Sequence, residues 1–216
     1  MPRTFAIGDI HGCAAALQAI LTAIRPAADD TLVTLGDYID RGPESRRVIE
    51  LLLQWSGKCR LVPLLGNHEV MLLDARGDWR KREFWLDCGG RQTLANYDDD
   101  FDSIPEGHWQ FFENCQTYHE TERHFFVHAN YDPSQPLETQ TEEFLFWMHL
   151  SFFTPWAHPN GKIALVGHTP QADGDVLDIG HLICLDTCCF GGGYLSAIDV
   201  DSGELWQVDK NGVPRA

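Results

Sequence analysis

Three short runs of apolar and β-branched residues, Thr4–Ile7, Thr31–Leu35 and Leu61–Leu65, each stop at a glycine followed at once by a side chain that can bind a cation. The three stops read Gly8-Asp9-Ile10-His11-Gly12, Gly36-Asp37-Tyr38-Ile39-Asp40-Arg41-Gly42 and Gly66-Asn67-His68-Glu69. Runs of four or five such residues have strand length. A polar group just after each places Asp, Asn and His at strand ends, where a parallel sheet gathers its ligands. A fourth segment, Gly167-His168-Thr169, follows Ala164-Leu165-Val166 in the same way. Carboxylate and amide oxygens with several imidazoles form a donor set suited to divalent metals. Arg41 beside them is the natural partner for a phosphate.

The segments between these stops fix the fold class. Thr4–Ile7 reads as a strand and Ala14–Ile24 as an amphipathic helix ended by Pro26. Thr31–Leu35 is the second strand, Ser45–Trp55 a helix with Pro43 near its start, and Arg60–Leu64 the third strand. Strand-helix-strand-helix-strand implies right-handed parallel crossovers. Further on, residues 79–97 and 105–114 look helical and aromatic-rich, and 117–120 with 124–128 form a hairpin. Residues 141–150 read as helix and 162–166 as strand. Four short strands follow, 176–179, 181–185, 194–200 and 205–208, whose turns are marked by Gly180, Gly191-Gly192-Gly193 and Ser202-Gly203. Strand-rich hairpins after a crossover half predict a second sheet packed on the first.

At 216 residues with neither linker nor repeat, the chain reads as a single domain, residues 1–216. A formal charge of −16 argues against a nucleic-acid binder, which needs a basic face to displace counterions. It favours basic or peptide-like substrates over polyanions. The N-terminus carries no basic segment followed by an apolar stretch, and no run of about 18 apolar residues suits a membrane span. We therefore expect a cytoplasmic protein without a membrane partner. Seven scattered cysteines fit free thiols in a reducing compartment, with Cys188 and Cys189 as small residues near a strand end. Asp98-Asp99-Asp100-Phe101-Asp102 lacks calcium-loop spacing and reads as a solvated loop.

Four signatures in this order resemble the calcineurin-like metallophosphoesterases, particularly the PPP-type serine/threonine phosphatases and their bacterial and phage relatives. The resemblance covers about residues 5–194. It implies an α/β fold, a four-layer α/β/β/α sandwich of two mixed sheets with the site on one edge. It also implies two divalent metal ions, manganese foremost, with iron or zinc as alternatives. Asp37 would bridge the two; Asp9 and His11 would complete the first metal, and Asn67, His128 and His168 the second. His68 and Asp40 would form a pair in which the imidazole donates the leaving-group proton, with orientation of Asn67 as the competing role for His68, and Arg41 would hold phosphate. The implied reaction is direct in-line attack by a hydroxide shared between the metals.

On these grounds the expected substrate is a phosphoserine or phosphothreonine protein or peptide. The alternative is symmetrical diadenosine tetraphosphate hydrolysis, although that group usually lacks the carboxylate seen at Asp40 and ends the third signature in Asp where this chain has Glu69. A scaffold that lost its metals is disfavoured because no ligand position is eroded. Two departures stand out. His128-Ala129-Asn130 replaces a His-Gly-Gly, and His149 stands where relatives carry an arginine that clamps phosphate.

Overall fold

The computed structural model describes residues 2–216. The chain begins with β1 (Thr4–Ile7), α1 (Ala14–Ile24), β2 (Thr31–Thr34), α2 (Ser45–Ser56) and β3 (Arg60–Pro63). In α1 the buried positions are Ala14, Ala16, Leu17, Ile20, Leu21 and Ile24, the three-and-four spacing that puts one face on a sheet. It ends at Arg25 in a left-handed conformation, one residue before Pro26. Then follow α3 (Asn67–Ala75), α4 (Trp79–Trp85), α5 (Arg91–Leu94) and α6 (Glu106–Glu113). The second half supplies β4 (Tyr118–Glu120), β5 (His124–Val127), β6 (Ile163–Val166), β7 (Leu177–Asp178), β8 (Leu182–Cys184), β9 (Leu195–Asp199) and β10 (Leu205–Val208).

Two five-stranded mixed sheets result, ordered β10-β9-β1-β2-β3 and β4-β5-β6-β8-β7. The parallel pairing β1-β2-β3 is the predicted crossover half, in register Thr4↔Thr31↔Arg60. Ala6, Val33 and Val62 of the first sheet meet Phe126 and Leu165 of the second in a shared apolar layer. A second layer lies under α1 and α2, and a third on the outer face of the second sheet. This is the expected α/β/β/α arrangement.

Three expectations need correction, and one element was not foreseen. The last two strands do not join the second sheet: β9 pairs antiparallel with β1, Ile7 opposite Ala197, and β10 closes that edge. All five residues of β9 are buried, the mark of an interior strand. The helix expected over 79–97 is broken into α4, a wide turn at Leu86–Gly90, and α5, because Gly89 takes φ 116°. The helix expected over 141–150 shrinks to one wide turn, Glu143–Trp147. Its neighbours serve other partners, since Ala129 donates its N–H to Leu145 O and Leu150 donates to Thr169 Oγ1. Finally, α3 was not foreseen, and it begins at Asn67 itself.

Candidate metal centre

Each sequence-predicted ligand sits just beyond a strand or at a helix start, and both sheets contribute. Asp9 and His11 follow β1, Asp37 follows β2 and Asn67 opens α3, while His128 follows β5 and His168 follows β6. Five site residues, His11, Asp37, Asp40, Arg41 and His168, have positive φ between 44° and 70°. For residues with a Cβ this conformation is strained, and strain of this kind gathers where side chains must be aimed. Gly66 is required by close approach, since a Cβ there would overlap Asp37 and the Glu69 carboxylate.

Asp37 lies at the middle. His11, Asp37 and His68 each offer an atom within 4.8 Å of the others, and so do Asp37, His128 and His168. Its two oxygens face different ways: Oδ2 is 3.4 Å from His11 Nε2 and Oδ1 is 3.4 Å from His128 Nε2. Asp9 stands just outside both groups, with both oxygens accepting from the backbone N–H of His168 at 3.0 and 3.2 Å. Burial first, then the charges of Asp186 and Asp37, push the Asp9 carboxyl well above its ordinary range. Such crowding of carboxylates calls for a cation.

The hydrogen bonds of the imidazoles make the same point. His128 Nδ1 donates to Leu35 O at 2.7 Å and His168 Nε2 donates to Trp147 O at 3.3 Å. The remaining nitrogens therefore carry lone pairs. Both lie 3.0 Å from Asn67 Oδ1, which also only accepts. His11 is arranged likewise, with Nδ1 committed to Ile39 O at 2.8 Å and Nε2 facing the guanidinium of Arg41 at 2.9 Å. His68 Nε2 is buried without a partner. His128 Nε2, His168 Nδ1 and Asn67 Oδ1 converge as acceptors with no proton between them, which suits a divalent cation, so the donor set fits the metals the motifs imply. Burial lowers His11 and His168 to about 3, which keeps both imidazoles neutral and ready to ligate.

Asp40 and His68 meet as expected, with His68 Nδ1 2.7 Å from Asp40 Oδ2. What holds Asp40 was not foreseen. Trp85 Nε1 donates to Oδ2 at 2.9 Å and Thr93 Oγ1 to Oδ1 at 2.7 Å. The backbone N–H of Asp40 donates to Thr93 Oγ1 at 2.8 Å. Burial lowers the basicity of His68, but the charge of Asp37 and the Asp40 hydrogen bond outweigh it and raise its pKa. Glu69 also gains a role: its oxygens accept from the N–H groups of Asp37 at 2.8 Å, Tyr38 at 2.9 Å and Gly66 at 3.0 Å, fixing the loop that carries Asp37. Asp186 is a buried carboxyl pushed up to about 6, chiefly by burial, and no motif marks it. His149 reaches the rim, its ring 5.0 Å from that of His168.

The sequence model for "Calcineurin-like phosphoesterase" matches residues 2–200. The chain belongs to this family. The phosphoesterase is 42% identical over 90 residues to serine/threonine-protein phosphatase 1 of Salmonella typhimurium, a match spanning 41% of this chain and only 39% of that protein. It is 32% identical to the symmetrical bis(5'-nucleosyl)-tetraphosphatase of Cellvibrio japonicus, covering 94% of this chain and 97% of that one. In fold, it is similar to a solved candidate diadenosine tetraphosphatase with TM-score 0.75 and 24% identity, covering 100% of this chain and 96% of that chain. Among the described residues of the phosphoesterase, no helix is long and apolar enough to cross a membrane.

Proposed function

We propose that this phosphoesterase hydrolyses phosphate monoesters, with phosphoserine and phosphothreonine peptides as its substrates. The observation that carries the reading is the buried His68–Asp40 pair, 2.7 Å apart, with His68 Nε2 unpartnered. A serine or threonine alkoxide is a poor leaving group and gains most from a positioned acid, whereas a nucleoside diphosphate leaves readily without one.

In this reading Asp9, His11 and Asp37 would hold one divalent cation and Asp37, Asn67, His128 and His168 the other, with manganese the expected metal. Two such cations, when bound, neutralise phosphoryl oxygens and lower the pKa of water. The protein's own groups do the rest. Arg41 orients a phosphoryl oxygen, Asp40 fixes the His68 tautomer, and His68 Nε2–H gives its proton to the departing oxygen. Seven unpaired thiols support a reducing, cytoplasmic setting.

A second reading is symmetrical hydrolysis of diadenosine tetraphosphate. The comparisons support it better than the first, because the relatives aligned over their full length carry that name and the phosphatase match is partial. The test is direct: purified protein with manganese is given phosphothreonine peptides and diadenosine tetraphosphate in parallel. A higher kcat/KM for the peptides is expected. Preference for the dinucleotide, with ADP as product, would replace the first reading by the second.

A further inference from the structure

An open groove of about 330 Å³ lies between α3, the start of β4 and the 137–146 segment. Its floor is apolar, formed by Leu65, Leu73, Leu137 and Leu145 among others. Its rim is acidic: Asp74, Glu138 and Glu142 line it, and no Lys, Arg or His does. Lys81 neutralises Asp74 at 2.8 Å, but Glu138 and Glu142 are exposed and make no ion pair among the described residues. The walls of the groove are also the supports of the site. Leu65 is two residues before Asn67, Leu145 O accepts from the residue after His128, and Trp147 O, one residue beyond Phe146, accepts from His168.

We propose that this groove docks the flanking segment of a phosphopeptide substrate, seating one apolar side chain on the floor with basic neighbours against Glu138 and Glu142. The inference rests on the phosphopeptide reading and deepens it. An apolar floor stabilises a buried aliphatic group, while unpaired carboxylates at the rim attract cations and repel acidic flanks. The volume suits one or two side chains, not a folded partner. Because its walls continue along the backbone into Asn67 and into the carbonyls that hold the loops of His128 and His168, the proposed peptide runs from the groove toward the phosphoryl site.

The test uses the full chain with manganese and two phosphothreonine peptides of equal length. One has leucine flanked by arginines, the other serine flanked by glutamates. The basic–apolar peptide should have a kcat/KM higher by about tenfold at low salt, with the gap narrowing as salt screens the carboxylates and the leucine contribution remaining. The double variant Glu138→Lys/Glu142→Lys should remove the salt-dependent part of that gap through KM, leaving kcat and p-nitrophenyl phosphate hydrolysis unchanged. In a binding arm, fluorescein-labelled basic–apolar peptide without phosphate is titrated by anisotropy, and charge reversal should weaken its binding. Turnover of neither peptide would sink the phosphatase reading. Failure of the unphosphorylated peptide to bind, or binding indifferent to charge reversal, would overturn the groove assignment by itself.

Discussion

His68 Nδ1 lies 2.7 Å from Asp40 Oδ2, and both side chains are shut away from solvent. With the proton of Nδ1 committed to Asp40, Nε2 is the nitrogen aimed at the site. Replacing His68 with Asn should slow hydrolysis of alkyl phosphates by about 10² to 10⁴-fold and of aryl phosphates far less. Steady-state rates on both substrates, with metal content measured in parallel, check this. Equal losses on the two would assign His68 a purely structural part.

Thr93 both accepts from the Asp40 backbone and donates to its carboxylate. Thr93→Val keeps the shape and removes both bonds, so it should cost about 1–3 kcal/mol of stability. It should also shift the pH profile of alkyl phosphate hydrolysis, since His68 would lose a firmly held partner. Denaturant titration and a pH–rate series read the two effects separately, and an unchanged pH profile would confine Thr93 to the core.

The two oxygens of Asp37 face opposite imidazoles. Asp37→Asn should lower the bound metal per chain and reduce turnover by several kcal/mol of transition-state stabilisation, on the scale of about 3–5 kcal/mol. Elemental analysis of the folded variant measures the first and kcat/KM the second. Full metal content with near-normal turnover is the outcome that would exclude a bridging role.

Arg3 and Asp30 tie the start of β1 to the turn before β2. Asp30 Oδ1 accepts from the backbone N–H of Arg3 at 2.7 Å, Oδ2 accepts from its guanidinium at 2.6 Å, and Oδ2 also accepts from Ala27 N–H at 2.9 Å. Burial opposes ionisation of Asp30, but the hydrogen bonds of Arg3 and Ala27 prevail and hold its pKa below the usual carboxylate value. A folded-state pKa below the unfolded one gives stability that is present above the unfolded value and vanishes as pH falls through the folded one. Asp30→Asn should therefore cost about 2 kcal/mol at neutral pH. The gap from wild type should close below about pH 4, as followed by thermal melts across pH.

His149 occupies the rim where an arginine was expected, its ring against that of His168. A neutral imidazole cannot grip a phosphate with two parallel N–H donors. His149→Arg should lower KM for simple phosphomonoesters severalfold with little change in kcat. A KM that stays put would show that this position does not face the phosphate.

The convergence of the candidate ligand positions was legible because most of them follow a glycine at a strand end, which leaves a local mark; His128, after Val127, was legible only as the polar end of an apolar run. The fold class was legible for the same reason, since β1, α1, β2, α2 and β3 each carry an unbroken period. Trp85 and Thr93 left no such mark: they lie 45 and 53 residues from Asp40, and only the packing of the broken 79–97 stretch brings them to it. The helix α3 was hidden by burial on nearly all sides, Asn67, His68, Glu69, Met71, Leu72 and Ala75 together, which blurs the 3.6-residue stripe. The return of β9 to β1 was equally hidden, because a short buried strand does not announce its partner.

One bond joins distant parts of the chain: the backbone of His168 donates to Asp9, 159 residues away. Contacts so distant in sequence form late, after most loop-closure entropy has been lost. The second ligand set is completed only when the two sheets dock, so a chain with only its first sheet folded offers Asp9, His11, Asp37 and Asn67 but lacks His128 and His168. A cation that takes ligands from both sheets favours the docked state by mass action. Refolding with and without manganese should then share its early phases and differ in the last. Hydrolytic competence becomes a timer for the completion of folding, switched on when the first and last thirds of the chain meet.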